Sequence, residues 1–294
     1  MYDLIIIGGG PAGLTAAVYA LNKRIETLLI SEDLGGKTAY GFEAKGYEGH
    51  EVIRGGELIE KFKCQLEYLN FAHQIDRVTK VEQTGKNFTV TTKGGKTYET
   101  KTVIVATGSM PKRMDVPGDK KLMGKGLSYS AISHAQLFIE REPAIVGSNK
   151  RALEAAAELA LVAKQVHLIL PEKGESESAL GKKLRANPKV KVYEVALTEI
   201  RGDQFVESIV VGGKEVKVDG LFIEVGLNPG TKVVEGLGVT DASGRIKVDV
   251  NCATSKPGLF AAGDVTDVFI EQVLVAIGED AKAALSAYEY LINQ

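Results

Sequence analysis

The chain has 294 residues, 44% hydrophobic and 25% charged, and its 36 Lys+Arg against 38 Asp+Glu give a formal net charge of -2. At roughly 100–200 residues per domain, that length suggests two globular domains, and the mixed, block-free charge excludes a polyelectrolyte surface for nucleic acid or an anionic membrane. Two distant cysteines, Cys64 and Cys252, with no CxxC, and four scattered histidines exclude a disulfide framework, and no metal site is expected.

Met1-Tyr2-Asp3 leads straight into the apolar run Leu4–Ile7. No basic n-region precedes it and no stretch has membrane-spanning length, so a cytoplasmic location and no membrane partner are expected. A continuous apolar run reads as a strand buried on both faces. Gly8-x-Gly10-x-x-Gly13 follows at once, with Pro11 and Ala12 opening an Ala-rich helix over 11–21 and a second strand over 25–30. In this βαβ context each glycine has a task. Gly8 makes the tight turn, Gly10 lets a pyrophosphate approach the backbone, and Gly13 lets the helix pack close to the strand. The pyrophosphate is expected at the helix N-terminus, where free N–H groups and the dipole favour anions. The acid that closes the second strand on a ribose is expected at Glu32, with Ser31 as the alternative.

Residues 88–105 read as two strands around a turn at Gly94-Gly95, then a buried strand Thr102–Val105. Ala106-Thr107-Gly108 is a sharp turn, and Pro111 and Pro117 mark a domain exit near 112–120. A second βαβ unit follows, with a strand over 144–146, a helix over about 150–162 and a strand over 166–170. Its turn reads Gly147-x-Asn149-x-x-Ala152. Asn149 stands where a phosphate needs bare backbone. Asn tolerates the left-handed region, so the turn is expected to survive with a poorer ligand fit. Glu172 suits the free ribose of NADH, whereas the 2′-phosphate of NADPH would want arginines. Two readings stay open: a nicotinamide site at Gly147, Asn149 and Glu172, or a domain kept for structure or dimerisation.

Residues 221–231 read as another buried strand ending in a Gly- and Pro-rich turn. Residues 244–264 read as a short strand pair and then a strand ending at Gly263-Asp264, and 272–291 as a helix. Asp264, after a buried strand and beside a helix N-terminus, suits a ribityl hydroxyl or water near phosphate.

In this order, "IIIGGGPAGLTAAVYA" (5–20), "GGKT" (35–38), "VIVATGSMPKRMDVPG" (103–118), "GKGLSYSAISHAQLF" (124–138), "VGLNPGT" (225–231), "ATSKPGLFAAGDVTD" (253–267) and "EQVLVAIGEDAKAALSAYEYL" (271–291) resemble the low-molecular-weight thioredoxin reductase family over nearly the whole chain. The resemblance implies an α/β fold of two Rossmann-like dinucleotide-binding domains with parallel central sheets, the second inserted into the first. FAD would bind residues 1–114 with 241–294, and an NAD(P)H-binding-like domain would span 118–240. It implies a homodimer in which NADPH reduces FAD and FAD reduces a CxxC disulfide. Gly8, Gly10, Gly13, Gly36, Thr38, Ala106, Thr107, Gly108, Gly263, Asp264 and Gln272 match the family's flavin positions. Lys37 stands for a usual glutamine and Glu271 for a usual arginine.

The redox loop departs from the family. Its CxxC is replaced by Ser130-Ala131-Ile132-Ser133, and His134 replaces the following aspartate. Serines form no disulfide, so no dithiol relay operates there. The leading expectation is an FAD-dependent oxidoreductase whose flavin passes electrons directly to an unidentified small-molecule or protein partner. The electrons would come from NADH or a protein donor, with His134 as a proton donor near neutral pH and Ser130 and Ser133 beside it. The alternatives are a non-catalytic FAD-binding sensor or structural dimer, and a thioredoxin-disulfide reductase using thiols not yet placed.

Overall fold

The computed structural model describes residues 1–39, 41–46, 55–268 and 270–294. The chain divides into two compact units. One comprises Met1–Tyr40, Ile53–Met110 and Pro229–Gln294; the other comprises Gly41–Val52 and Pro111–Asn228.

The first unit begins with β1 (Tyr2–Ile7), α1 (Pro11–Asn22), β2 (Thr27–Ser31), α2 (Gly55–Tyr68), β3 (Ala72–Ile75), β4 (Val78–Thr84), β5 (Asn87–Thr92) and β6 (Thr97–Val105). The chain leaves it through β7 (Ser109–Pro111). The second unit holds α3 (Asp119–Leu122), β8 (Leu127–Ser128), α4 (Ala131–His134), β9 (Pro143–Val146), α5 (Lys150–Val162), β10 (Val166–Ile169), α6 (Ala179–Ala186) and β11 (Val190–Tyr193). An antiparallel ribbon of β12 (Leu197–Arg201), β13 (Ser208–Val211) and β14 (Lys214–Lys217) precedes β15 (Gly220–Ile223). The chain returns through β16 (Leu227–Pro229) and ends with β17 (Leu259–Ala261) and α7 (Val273–Ile292).

Each unit is built on a parallel sheet. In the first, β3-β2-β1-β6 run parallel, and β17 pairs in parallel with the opposite edge of β6 at Val103–Val105. Nine-residue β6 also closes an antiparallel meander with β5 and β4. The expected separate strand at 102–105 is therefore the second half of one long strand. Alternation along β1 explains its unbroken apolar run. Leu4 and Ile6 pack on α1 and α7, through Leu14, Ala17, Ala283 and Ala287. Ile5 and Ile7 pack on the opposite face with Val90, Val234 and Ile246. Each such fully buried side chain contributes ~1.5–3 kcal/mol. The second unit has the all-parallel order β11-β10-β9-β15-β8, again covered on both faces.

One expected element is absent in its expected form. Residues 244–258 form no strand pair; only isolated bridges such as Thr240 with Ile246 and Ala253 with Phe260 occur there. The physical reason is local. Asp241 accepts the N–H groups of Ser243 (2.8 Å) and Arg245 (2.9 Å), and Asp249 accepts those of Asn251 (2.8 Å) and Ala253 (2.9 Å). These side chains satisfy donors that a ladder would otherwise use. β17 also ends two residues before Gly263. Among the described residues, no helix is long and apolar enough to cross a membrane.

Candidate functional site

The first glycine turn is sterically determined. Gly8 has φ +117°, and a methyl group there would lie 2.3 Å from the Ala106 carbonyl oxygen. A methyl on Gly13 would lie 1.9 Å from the Gly8 carbonyl oxygen. Both positions therefore exclude a side chain. Gly10 differs: a methyl there would meet nothing within 4 Å. Gly10 is the N-cap of α1, Pro11 occupies the first turn, and no side chain caps the helix. Among the described residues, no side chain accepts from the first-turn donors of this 12-residue helix, an arrangement that fits an anion. The cradle fits the pyrophosphate of a dinucleotide, and FAD, when bound there, would be held by this turn.

Three further turns of the first unit support it. A methyl on Gly36 would stand 3.1 Å from Gly10 Cα, and Gly35 N–H donates to the Gly9 carbonyl (2.7 Å). Gly36 N–H donates to Asp33 Oδ1 (3.1 Å), and Thr38 Oγ1 to the Gly35 carbonyl (2.5 Å). Lys37 Nζ reaches Asp264 Oδ2 at 2.6 Å and Ser109 Oγ at 3.2 Å. Gly263, at φ +74°, lies against Ala12. Thr107 Oγ1 donates to the Gly230 carbonyl and Gly230 N–H to the Gly108 carbonyl, both at 2.9 Å. The structure thus brings Gly8, Gly10, Pro11, Ala12, Gly13, Gly36, Lys37, Gly263 and Asp264 together.

Sequence reasoning missed Arg245. Its guanidinium pairs with Glu271 Oε1 (2.5 Å) and donates to the carbonyls of Asp264 (2.9 Å) and Thr266 (3.1 Å), bracing the Asp264 turn. An acid at 271 in place of a usual arginine was the available signal that a cation had moved. Gln272 is the N-cap of α7 and makes no side-chain cap. At the end of β2 the two ribose candidates part. Ser31 is buried, faces Gly9 and bonds His73 Nε2 (3.0 Å). Glu32 is exposed and lies 4.0 Å from Arg77.

In the second unit the corresponding turn is filled by its own side chains. Gly147 has φ +151° and a methyl there would lie 2.4 Å from the Glu224 carbonyl oxygen. Asn149 is extended at φ -91°, not left-handed. It caps α5, with Oδ1 accepting from Ala152 N–H (2.9 Å) and Nδ2 donating to the Glu224 carbonyl (2.8 Å). As an N-cap its backbone is extended, so the turn survives without the left-handed conformation that Asn tolerates. Glu172 is exposed, and its N–H donates to Ser148 Oγ (3.3 Å). The following loop packs on Ser148, where a methyl on Gly174 would sit 2.2 Å from the Ser148 carbonyl oxygen.

The redox-loop positions also belong to the second unit. Ser130 Oγ and Ser133 Oγ hydrogen-bond to each other at 2.9 Å. His134 Nδ1 lies 3.0 Å from Ser128 Oγ and 3.1 Å from the Ser130 carbonyl, and its ring packs on Phe42, tilted by 30° with centroids 4.2 Å apart. The carbonyl requires Nδ1 to carry the hydrogen, which leaves Nε2 as an acceptor. Burial pulls the His134 pKa below the usual histidine range, partly opposed by the Ser130 bond. The ring is therefore neutral near pH 7, with Nε2 unprotonated. Buried Glu224 ties this loop to the second glycine turn: Oε1 accepts from Ala131 N–H (3.0 Å) and Oε2 pairs with Arg151. Neither cysteine offers a relay. Cys64 is exposed on α2, and burial pushes the Cys252 thiol up to about 11, so it stays protonated.

Residues 2–279 match the family model described as pyridine nucleotide-disulphide oxidoreductase. The chain belongs to that family. Within it, the chain is 34% identical to the structure of thioredoxin reductase from Streptococcus pyogenes, at a TM-score of 0.92, covering 100% of this chain and 99% of that one. A ferredoxin-flavin thioredoxin reductase from Clostridium acetobutylicum matches at 30% identity and TM-score 0.53, covering 99% and 98% of the two chains. An NADH dehydrogenase from Bacillus subtilis is 33% identical over 302 residues, 99% of this chain; the chain spans 59% of that relative's length. The chain is thus a thioredoxin-reductase-like member of a family of FAD-dependent oxidoreductases, without a close cysteine pair. Membership implies FAD and NAD(P)H as the family's cofactors.

Proposed function

We propose that this oxidoreductase holds FAD in its first unit and exchanges electrons with its partners without a dithiol relay. The observation that carries the reading is the hydrogen bond between the Ser130 and Ser133 hydroxyls, 2.9 Å apart where the family resemblance places the redox cysteines. A hydroxyl pair accepts no electrons. FAD, when bound, supplies the redox chemistry, in single electrons or pairs. Gly8, Gly10, Pro11, Ala12 and Gly13 would hold its pyrophosphate, Ser31 its ribose, and Asp264 with Lys37 and Gly36 its ribityl side. Thr38, Ala106, Thr107, Gly108, Glu271 and Gln272 complete that assignment from the resemblance. Ser130 and Ser133 would contact the acceptor, with His134 beside them.

The electron donor is proposed to be a reduced protein carrier rather than NADH or NADPH. Asn149 occupies the N–H end of α5 that a cofactor phosphate would need. The Clostridium acetobutylicum relative carries ferredoxin in its name, which supports a donor of that kind. A homodimer is proposed from the family resemblance alone.

The test is an anaerobic titration of the flavin absorbance with NADH, NADPH and a reduced ferredoxin. Bleaching by the ferredoxin, with neither nicotinamide cofactor effective at low excess, is expected. Rapid bleaching by NADH would restore the second unit as a nicotinamide site read by Glu172. A bound flavin that no donor reduces would favour the non-catalytic flavoprotein.

A further inference from the structure

Behind the first cradle lies a carboxyl that no step above uses. Asp280 stands on α7, on the face that Ala276, Ala283, Ala284 and Ala287 pack against the α1 side of the core. It is 0% exposed, and among the described residues neither carboxyl oxygen has a hydrogen-bond partner. A methyl placed on Gly263 would lie 3.6 Å from Asp280 Oδ2 and 3.3 Å from Ala12 Cβ. The carboxyl therefore sits at the base of the Gly263 turn, beside the first turn of the uncapped α1 helix.

Among the described residues, the groups around it offer no compensating cation. On α7 itself, Glu279 accepts from Gly263 N–H (3.3 Å), and Lys282 is exposed. From the turn after β17 comes Asp264, whose charge is paired with Lys37. The Cys252 thiol donates to the Glu279 carbonyl (3.4 Å). α1 contributes no charged residue, and neither does β17. An unpaired carboxylate in such surroundings is strongly disfavoured, and the group keeps its proton instead. Burial first, then the neighbouring Glu279 and Asp264, hold its pKa well above the usual carboxylate range. An anion bound at α1 adds negative charge to the same region.

We propose that Asp280 couples anion binding at the first cradle to a proton. The uncharged carboxyl admits the pyrophosphate, and its ionisation, with the proton going to solvent, expels it. This rests on the reading that the first unit holds FAD. Asp280 touches no reacting atom; it is a positioning residue acting through the Gly263 turn and the end of α1.

The test is flavin retention by the flavin-loaded full chain on dilution, read as free-flavin fluorescence from pH 5.5 to 9.5. In the native protein the apparent Kd is expected to rise with pH, up to tenfold per unit once Asp280 ionises. Asp280→Asn is expected to bind at every pH as tightly as the native protein does at low pH. Superimposable pH profiles for the two proteins would overturn the proposal. Should the variant fail to fold, calorimetry of FAD binding to the flavin-stripped native chain, in two buffers of different ionisation enthalpy, gives the proton count directly. Uptake approaching one proton supports the coupling; none across the range overturns it. A chain that binds no FAD at any pH overturns the reading of the first unit, and the proposal with it.

Discussion

The turn at Gly8–Gly13 and the turn at Gly147–Ala152 sit at the same point of two similar βαβ units, yet they treat a helix end and a buried acid in opposite ways. At the first, Gly10 leaves α1 uncapped, and the acid behind the turn, Asp280, has no hydrogen-bond partner among the described residues. At the second, Asn149 caps α5, and the acid behind it, Glu224, is bound to Arg151 and Ala131 N–H. One βαβ plan thus produces an end that still needs a ligand and an end that is already satisfied. A glycine pattern reports where a backbone turns; whether anything binds there depends on which side chains already hold the free donors.

The largest expected effect separates turn from cradle. Gly13→Val, clashing with the Gly8 carbonyl, is expected to lose both flavin and cooperative unfolding of the first unit. Gly10→Val, entering open space, is expected to match the Tm of the flavin-stripped native chain, with stability changed by no more than ~0.5 kcal/mol, and to lose flavin. Circular dichroism melts beside flavin absorbance check both. If Gly10→Val retains flavin, the open end of α1 is not the anion site.

The two buried acids are expected to respond with opposite signs. Glu224→Ala removes the carboxylate that pairs Arg151 and is expected to destabilise by about 3 kcal/mol. Asp280→Ala removes an orphaned polar group and is expected to stabilise the flavin-stripped chain at pH 8 by roughly 1–2 kcal/mol. The sign follows from linkage. The pKa of Asp280 is higher in the folded state, so the folded chain binds more protons, and its stability falls as pH rises above the unfolded value of about 4. The advantage of Asp280→Ala should therefore be smallest near pH 4 and grow with pH. Denaturant melts at several pH values measure it. A loss of stability at pH 8 would show that Asp280 has partners.

The smallest effect concerns the satisfied end. Asn149→Gly is expected to cost only a few tenths of a kcal/mol while uncovering the first donors of α5. Faster flavin bleaching by NADH in stopped flow would identify Asn149 as what closes that turn. An unchanged rate would place the obstruction elsewhere.

Much of the first unit was legible in the sequence because one signal repeats at several levels. The run Leu4–Ile7, the three glycines and the Ala-rich helix all agree, and burial on both faces leaves little choice of residue. Asn149 was legible as a departure but not as a cap, because its role depends on ψ and on Glu224, 75 positions away. The 244–258 segment was misread because Asp241 and Asp249 satisfy donors locally, whereas alternating apolar residues alone promise a ladder. Asp280 had a signal that was passed over. It falls at helical spacing between Ala276 and Ala283, on a face whose other members are small and buried. His134 was found by position, but its protonation state came only from its packing on Phe42 and its bond to Ser130.

The hydroxyl pair at Ser130 and Ser133 also decides what can poison this chain. Thiol-directed alkylating agents, peroxides and soft heavy metals attack thiolates, and this loop contains no sulfur for them to find. Cys252 is buried and protonated, which leaves exposed Cys64 on α2 as the reactive thiol. Reagents that disable a dithiol enzyme should leave the proposed electron transfer of this chain intact.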